Sequence, residues 1–439
     1  MKRPGILSVL LLLATMASGP CLLAAQTVVP ASEALKSADA NTRADAVRQL
    51  GKAGDSAAVP ALAAMINDPS EKVRREVVVA LASLRAPQSL DPLIAATRDQ
   101  DSKVQVLAIQ GLAGYYTGDV PSLGFSAFWM RTWRKAKSRF VEENVRIDPG
   151  VLVEPKVVTA LVAALNDTRA LEPSRKAADA LGILVAKPAV PDLIKAAYSS
   201  DPDLAVEALN ALAKIHDYSA GPQLINLLDT ESKDVKRQAI VTVGILRTKD
   251  ALPKLQSIHA NNPDRTVREK ALEGLAYLGS PISGPLFIKA LWSPEKNLRV
   301  LGAEGLARAR EASTLGDLEK AVQVEKDAEA KLAIEYAITA LGKADYFSAV
   351  VKELGSKLRG NAAQAYLTEL SQDASFLPRL YPYLASQDND VRRRLCTVLM
   401  FTGNESSVEP LERLSRDPDG DVATESLRAL RAVRQRKAG

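Results

Sequence analysis

Eight prolines keep time along this chain. Pro60 and Pro92 lie 32 residues apart, Pro191, Pro222, Pro253 and Pro285 follow one another at 31, 31 and 32, and Pro378 and Pro410 are again 32 apart. A fixed period near 31 means repeated units, each burying its apolar face only against its neighbours. A chain of 439 residues would otherwise divide into several compact domains. With 47% hydrophobic residues it has ample material for a core, and with 5% aromatics it fills that core with Ala, Leu and Val. Such residues suit closely packed helices.

Each unit reads as two helices. One copy runs Val59-Pro60-Ala61-Leu62, then Asp68-Pro69-Ser70, Val73-Arg74 and Ala80-Leu81. Another runs Leu252-Pro253-Lys254-Leu255, then Pro263-Asp264, Val267-Arg268 and Gly274-Leu275. The first helix opens near Pro, whose missing N–H has no partner in a first turn anyway. It carries Leu62, Leu93, Leu193, Leu224, Leu255, Leu286, Leu380 or Leu411 inward. A polar break follows. The second helix starts at Asp39, Ser70, Asp101, Asp201, Ser232, Asp264, Asp388 and Asp419. Asp and Ser accept bonds from the orphan N–H groups of a first turn, which makes these N-caps. An apolar stripe at helical spacing continues from there and ends near a glycine, as at Gly51, Gly182 and Gly279. Gly244, Gly274 and Gly305 read as close-approach sites between helices. The units around 155–184, 313–342 and 347–370 are degenerate. The predicted fold is all-α, an α-solenoid of stacked antiparallel helix pairs with a superhelical twist.

At this point the chain resembles the HEAT-repeat family, in particular the short bacterial HEAT-like repeats of the phycobilisome-lyase type. The carrying residues are the opening Ala189 to Leu193 and the helix Asp264 to Leu275. The resemblance covers about residues 39–116 and 151–432 and speaks for architecture, hardly for activity. It implies an extended binding surface.

The slot after the Val is basic in many units. Arg43, Arg74, Arg268, Arg299 and Arg392 hold it, Lys236 is similar, and Gln105 departs. Two readings apply: a basic ladder offered to a ligand, or a stacking device in which each Arg bonds carbonyls or a carboxylate of a neighbouring unit. Regular repetition favours stacking. Asp101, Asp264, Asp388 and Asp419 belong to the same structural ladder as N-caps.

Residues 117–150 break the period with an insertion of about one repeat length. It holds Phe125, Phe128, Trp129, Trp133 and Phe140 together with Arg131, Arg134, Lys135, Lys137 and Arg139, and no acidic residue from Phe125 to Phe140. Trp and Arg dominate binding hot spots. Phe125, Trp129 and Trp133 share one side of a helix at four-residue spacing. The segment suits a protein partner or an anionic membrane surface. Equally, its aromatics suit folding back onto the solenoid.

The N-terminus reads as a secretory signal. Lys2 and Arg3 precede an apolar run from Ile6 to Met16, and small residues follow through Ala24 and Ala25. Cleavage after Ala25 divides the chain into a signal (1–25), repeats (26–116), the insertion (117–150) and repeats continuous with the first array (151–439). The expected location is the periplasm or the exterior of a bacterial cell. Cys21 leaves with the signal, so Cys396 remains without an internal disulfide partner and reads as a buried structural thiol. The net charge of +5 is too weak and dispersed to argue for nucleic acid.

No catalytic set emerges. His216 and His259 fall in different repeats, at a helix end and an inter-helix turn. A HEAT-like relative, deoxyhypusine hydroxylase, holds two irons with His-Glu dipeptides; here His216 precedes Asp217 and His259 precedes Ala260, so that motif is missing. Glu142-Glu143 is a weak pointer to acid–base work. The expectation is a non-enzymatic scaffold without metal or cofactor, binding a protein or envelope partner through its concave face and the insertion. Two alternatives stand beside it. One is a membrane-surface module acting through the insertion. The other is an enzyme of unrecognised type, a lyase or hydroxylase relative, with a site built across repeats.

Overall fold

The computed structural model describes residues 31–118, 146–167 and 169–438. Among them every regular element is helical, and short first helices alternate with longer second ones. The second helices run Ala40–Ala53, Glu71–Leu84, Ser102–Thr117, Leu171–Ile183, Pro202–Ile215, Lys233–Ile245, Arg265–Leu278, Lys296–Ala309, Ala328–Ala340, Gly360–Leu370, Asn389–Thr402 and Gly420–Ala438. Second helices of adjoining units lie along one another, whereas first helices of adjoining units touch far less. A stack drawn tighter on one side curves toward that side. The second helices therefore line the concave face and are called inner; the first helices are outer.

Small residues make the tight side possible. A Cβ on Gly244 would lie 2.8 Å from the Cα of Gly274, and one on Gly182 would lie 2.7 Å from the Cα of Ala211. Gly51 meets Ala80 in the same way, at 2.8 Å from its Cβ. Gly51 and Gly182 are thus packing positions inside their helices, and not helix stops as their sequence neighbourhood suggests. Gly54 ends the Ala40–Ala53 helix in the left-handed conformation at φ 72°, and Gly279 ends Arg265–Leu278 at φ 66°.

The outer helices deliver their leucines as expected, with one change. Leu62, Leu93, Leu193, Leu224, Leu255, Leu380 and Leu411 are buried in one continuous core. Leu286 is only partly buried, and Phe287 takes the inward place. Pro285 is the second residue of its helix, Gly284–Leu291, so the third residue after the helix start is Phe287. Gly305 opposite makes the room, since a Cβ there would meet the Phe287 ring at 2.5 Å.

The N-caps form at the expected residues. Asp101 accepts the Val104 N–H, Asp201 that of Leu204, Asp264 those of Thr266 and Val267, Asp388 those of Asp390 and Val391, and Asp419 those of Asp421 and Val422. Ser70 occupies its cap by backbone alone, its hydroxyl accepting no cap bond.

The period break does not break the stack. Ser102–Thr117 packs directly on Leu171–Ile183, and Leu90–Ala96 reaches Pro155–Leu165. Ile147, within the segment read as insertion, is already buried and donates its N–H to the Ile183 carbonyl at 2.9 Å. The same segment crosses to the far end of the array. Asp148 receives two bonds from Arg428, at 2.6 and 2.9 Å, across 280 residues of sequence. Arg146 lies over the Phe401 ring at 4.6 Å. Gly150 sits against Gln435, and its φ of +88° leaves no place for a side chain. The connection between the third and fourth units thus clasps the last two units.

Candidate functional site

The rim formed by the outer-to-inner turns carries a ladder. Arg43 donates from Nη1 to the carbonyls of Ser37 and Ala38, and from Nε and Nη2 to both oxygens of Asp68, at 2.7 and 2.8 Å. Arg74 repeats this with the Asp68 carbonyl and Asp99, Arg299 with Ser293, Pro294 and Glu325, and Arg392 with Ser386 and Asp417. Each carboxylate lies 25 or 26 residues on, in the next unit, and also accepts the N–H two residues after itself. Bidentate, part-buried pairs of this kind hold two units in register. The hydrogen bond from Arg392 keeps the Asp417 carboxyl below the usual carboxylate range, and that from Arg299 does the same for Glu325. The N-cap aspartates add a second tie: Arg75 grips Asp101, Arg175 grips Asp201 and Lys233 reaches Asp264.

Two basic rungs differ. Arg268 is anchored by Nη1 to the carbonyls of Asn262 and Pro263, at 2.7 and 3.0 Å, but grips no carboxylate among the described residues. Lys236 likewise has no carboxylate partner there. Gln105 donates to the Asp99 carbonyl at 2.6 Å in place of an arginine.

The opposite rim gathers the C-termini of the inner helices. Gly54, Gly118, Gly279 and Gly342 adopt the left-handed conformation there, and in other units Arg85, Val185, His216, Arg247 and Arg310 do so. Glycine fits such a position without strain. Cations suit it because helix carbonyls converge at that end. Both ends of the 119–145 stretch emerge on this rim, at Gly118 and Arg146.

Deep in the inner face, one junction is built differently. Between Ala328–Ala340 and Gly360–Leu370 the close glycine contact is replaced by two tyrosines, Tyr336 and Tyr366, stacked at 4.3 Å with planes 6° apart. The Tyr366 hydroxyl donates to the buried Glu304 at 2.6 Å. Arg308 spans 61 residues to Glu369 with a bidentate grip, at 2.9 and 3.0 Å, while its guanidinium covers the Tyr277 ring at 4.7 Å. Burial works against the Glu369 charge, yet the Arg308 cation outweighs it and holds that carboxyl below its usual range. This cluster has no sequence signature, because Tyr336, Tyr366 and Glu369 fall in units that have lost the repeat pattern.

Comparison with known families now places the architecture. The family model for HEAT repeats matches residues 29–113 and 190–276. Both of these stretches are HEAT repeats. Similar solved structures include an engineered protein, 18% identical, with a TM-score of 0.38, covering 92% of this chain and 98% of its own. Human deoxyhypusine hydroxylase in complex with glycerol is 24% identical with a TM-score of 0.28, covering 56% of this chain and 83% of its own. Importin beta is 13% identical with a TM-score of 0.43, covering 92% of this chain and 64% of its own. No curated protein matches the chain.

Within the array, the structure seats the remaining candidates. His216 caps an inner helix as read from sequence. His259 does not lie in an inter-helix turn; the outer helix runs on to Asn261 and takes it into its last turn, where its Nδ1 is 3.0 Å from the Arg268 carbonyl. Cys396 is buried, and burial pushes its thiol up to about 12. Phe125, Phe128, Trp129, Arg131, Trp133, Arg134, Lys135, Lys137 and Arg139 lie outside the described residues. No helix among the described residues is long and apolar enough to cross a membrane.

Proposed function

We propose that this HEAT-repeat protein is an exported, non-catalytic scaffold that holds a protein or envelope partner against its concave face and the 117–150 insertion. One observation supports the reading: the chain that follows residues 119–145 lies against the last two units of the array, with Asp148 on Arg428 and Arg146 over Phe401. The aromatic and basic stretch within 119–145 runs in sequence directly into that contact. The Glu304–Arg308–Glu369 cluster could be taken for the site of an enzyme built across repeats. Its charges pair with one another, which suits a joint between units.

The export part of the proposal rests on residues 1–25. Fractionation of the native host should place the chain outside the cytoplasm with Gln26 as its first residue; a cytoplasmic chain starting at Met1 would refute it. Crosslinking in intact cells should then capture a specific partner, and deletion of 119–145 should abolish the capture. Unchanged recovery from the deletion would remove the insertion from the binding surface. Anionic vesicles that bind the intact chain but not a Trp129→Ala, Trp133→Ala variant would move the partner from protein to membrane.

A further inference from the structure

The ladder contains its own control. Where the slot holds Arg43, Arg74, Arg299 or Arg392, the next unit supplies Asp68, Asp99, Glu325 or Asp417. Where the slot holds Ser174 or Ala205, the next unit supplies Ser199 or Thr230, and no charge is needed. Arg268 is the exception. The position opposite it is Ser293, whose hydroxyl accepts the Glu295 N–H at 3.1 Å. Ser293 thus keeps the half of the carboxylate's work that closes the local turn and drops the half that neutralises the arginine. The preceding rung has the same form: Lys236 faces Asn262, whose side chain accepts the Asp264 N–H at 3.0 Å.

Two carbonyls fix the Arg268 guanidinium in the pose its siblings use, so its Nε–Nη2 edge is preorganised for a carboxylate that none of the described residues supplies. The nearby acids are committed elsewhere: Glu295 and Glu269 to Arg265, and Asp264 to Lys233. We propose that Arg268, with Lys236 one unit away, is a docking site for the carboxylate side chains of an acidic, extended peptide segment of a protein partner. Adjoining rungs of stacked helices lie about 10 Å apart. A chain extended as polyproline II rises about 3.1 Å per residue with three residues per turn, so two acids three residues apart lie on one face about 9 Å apart and match the two rungs. The proposal rests on the scaffold reading and assigns part of its surface.

The test uses the full mature chain and a fluorescein-labelled peptide, Ala-Ala-Glu-Ala-Ala-Glu-Ala-Ala, in an anisotropy titration at low ionic strength. Ser293→Asp completes the rung internally. It should weaken peptide binding at least tenfold while leaving the thermal midpoint equal to or above that of the parent. Arg268→Gln should weaken binding similarly, and Arg299→Gln, at a rung already paired, should change it less than twofold. Moving the two glutamates side by side should also weaken binding. Parent-like affinity in Ser293→Asp, or a parent chain that does not bind the peptide, would overturn the site. Because no natural partner is needed, this failure is separate from that of the scaffold reading. In-cell capture that persists in Ser293→Asp leaves the scaffold in place and refutes the site.

Discussion

Two neighbouring parts of the stack solve one problem by opposite means. Between Lys233–Ile245 and Arg265–Leu278, Gly244 meets Gly274 backbone to backbone, and nothing polar intervenes. Between Ala328–Ala340 and Gly360–Leu370, two tyrosine rings stand in the gap, and Arg308 reaches past a whole unit to Glu369. The first joint is held by close packing, which is tolerant of pH but not of volume. The second is held by charge in a dry setting, which is tolerant of spacing but not of an unpaired partner. A HEAT array can therefore carry a unit that has lost its sequence pattern, provided a polar network replaces the lost contact.

The largest break should come from Arg308→Met. It leaves Glu304 and Glu369 without their cation, and removing one partner of a buried pair costs about 3–5 kcal/mol. Urea unfolding read by circular dichroism would show it; a loss below about 1 kcal/mol would mean the pair is not the joint. Next, Gly244→Ala should cost about 1–3 kcal/mol by overpacking, because the Gly274 backbone cannot yield. Tyr366→Phe should cost about 1–2 kcal/mol by leaving the Glu304 carboxylate short of a donor. Acid sharpens the contrast. Glu369, Glu325 and Asp417 are held below their ordinary values of 4.5, 4.5 and 3.8. Their contribution is present above those values and is lost as the pH falls through the lowered ones. Thermal midpoints measured between pH 6 and pH 3 should therefore drop toward pH 3, and less steeply in Arg308→Met than in the parent. The smallest effect belongs to Arg428→Ala. Its pair with Asp148 is partly exposed, so stability should fall by about 1 kcal/mol or less, while small-angle scattering should report a larger radius of gyration as the clasp opens.

Sequence reading went furthest where the repeat was strict. The Pro period, the inward Leu62 to Leu411 series and the Asp caps needed only helical geometry. The ladder was legible as a stacking device, but the 25-residue step from Arg74 to Asp99 became visible only when the next unit was seen to supply the acid. Gly51 and Gly182 misled because a glycine near a helix end serves a cap or a close contact equally well, and only the neighbouring Ala80 and Ala211 decide. Leu286 misled because a leucine was expected in the inward slot; counted from Pro285 as from Pro60, that slot is two residues on and holds Phe287. The tyrosine joint and the Arg308 bridge left no trace, since they link residues 30 and 61 apart and end in units without the motif.

The clasp has a consequence for how such a chain can evolve. An open solenoid can gain or lose a unit by duplication or deletion, because each addition simply lengthens it. Here Asp148 must find Arg428 after a set number of turns of the stack. One extra or missing pair of helices between them would rotate the two ends past each other. The join therefore acts as a ruler that selects the copy number, and length variants within this stretch should be the ones that fail to close.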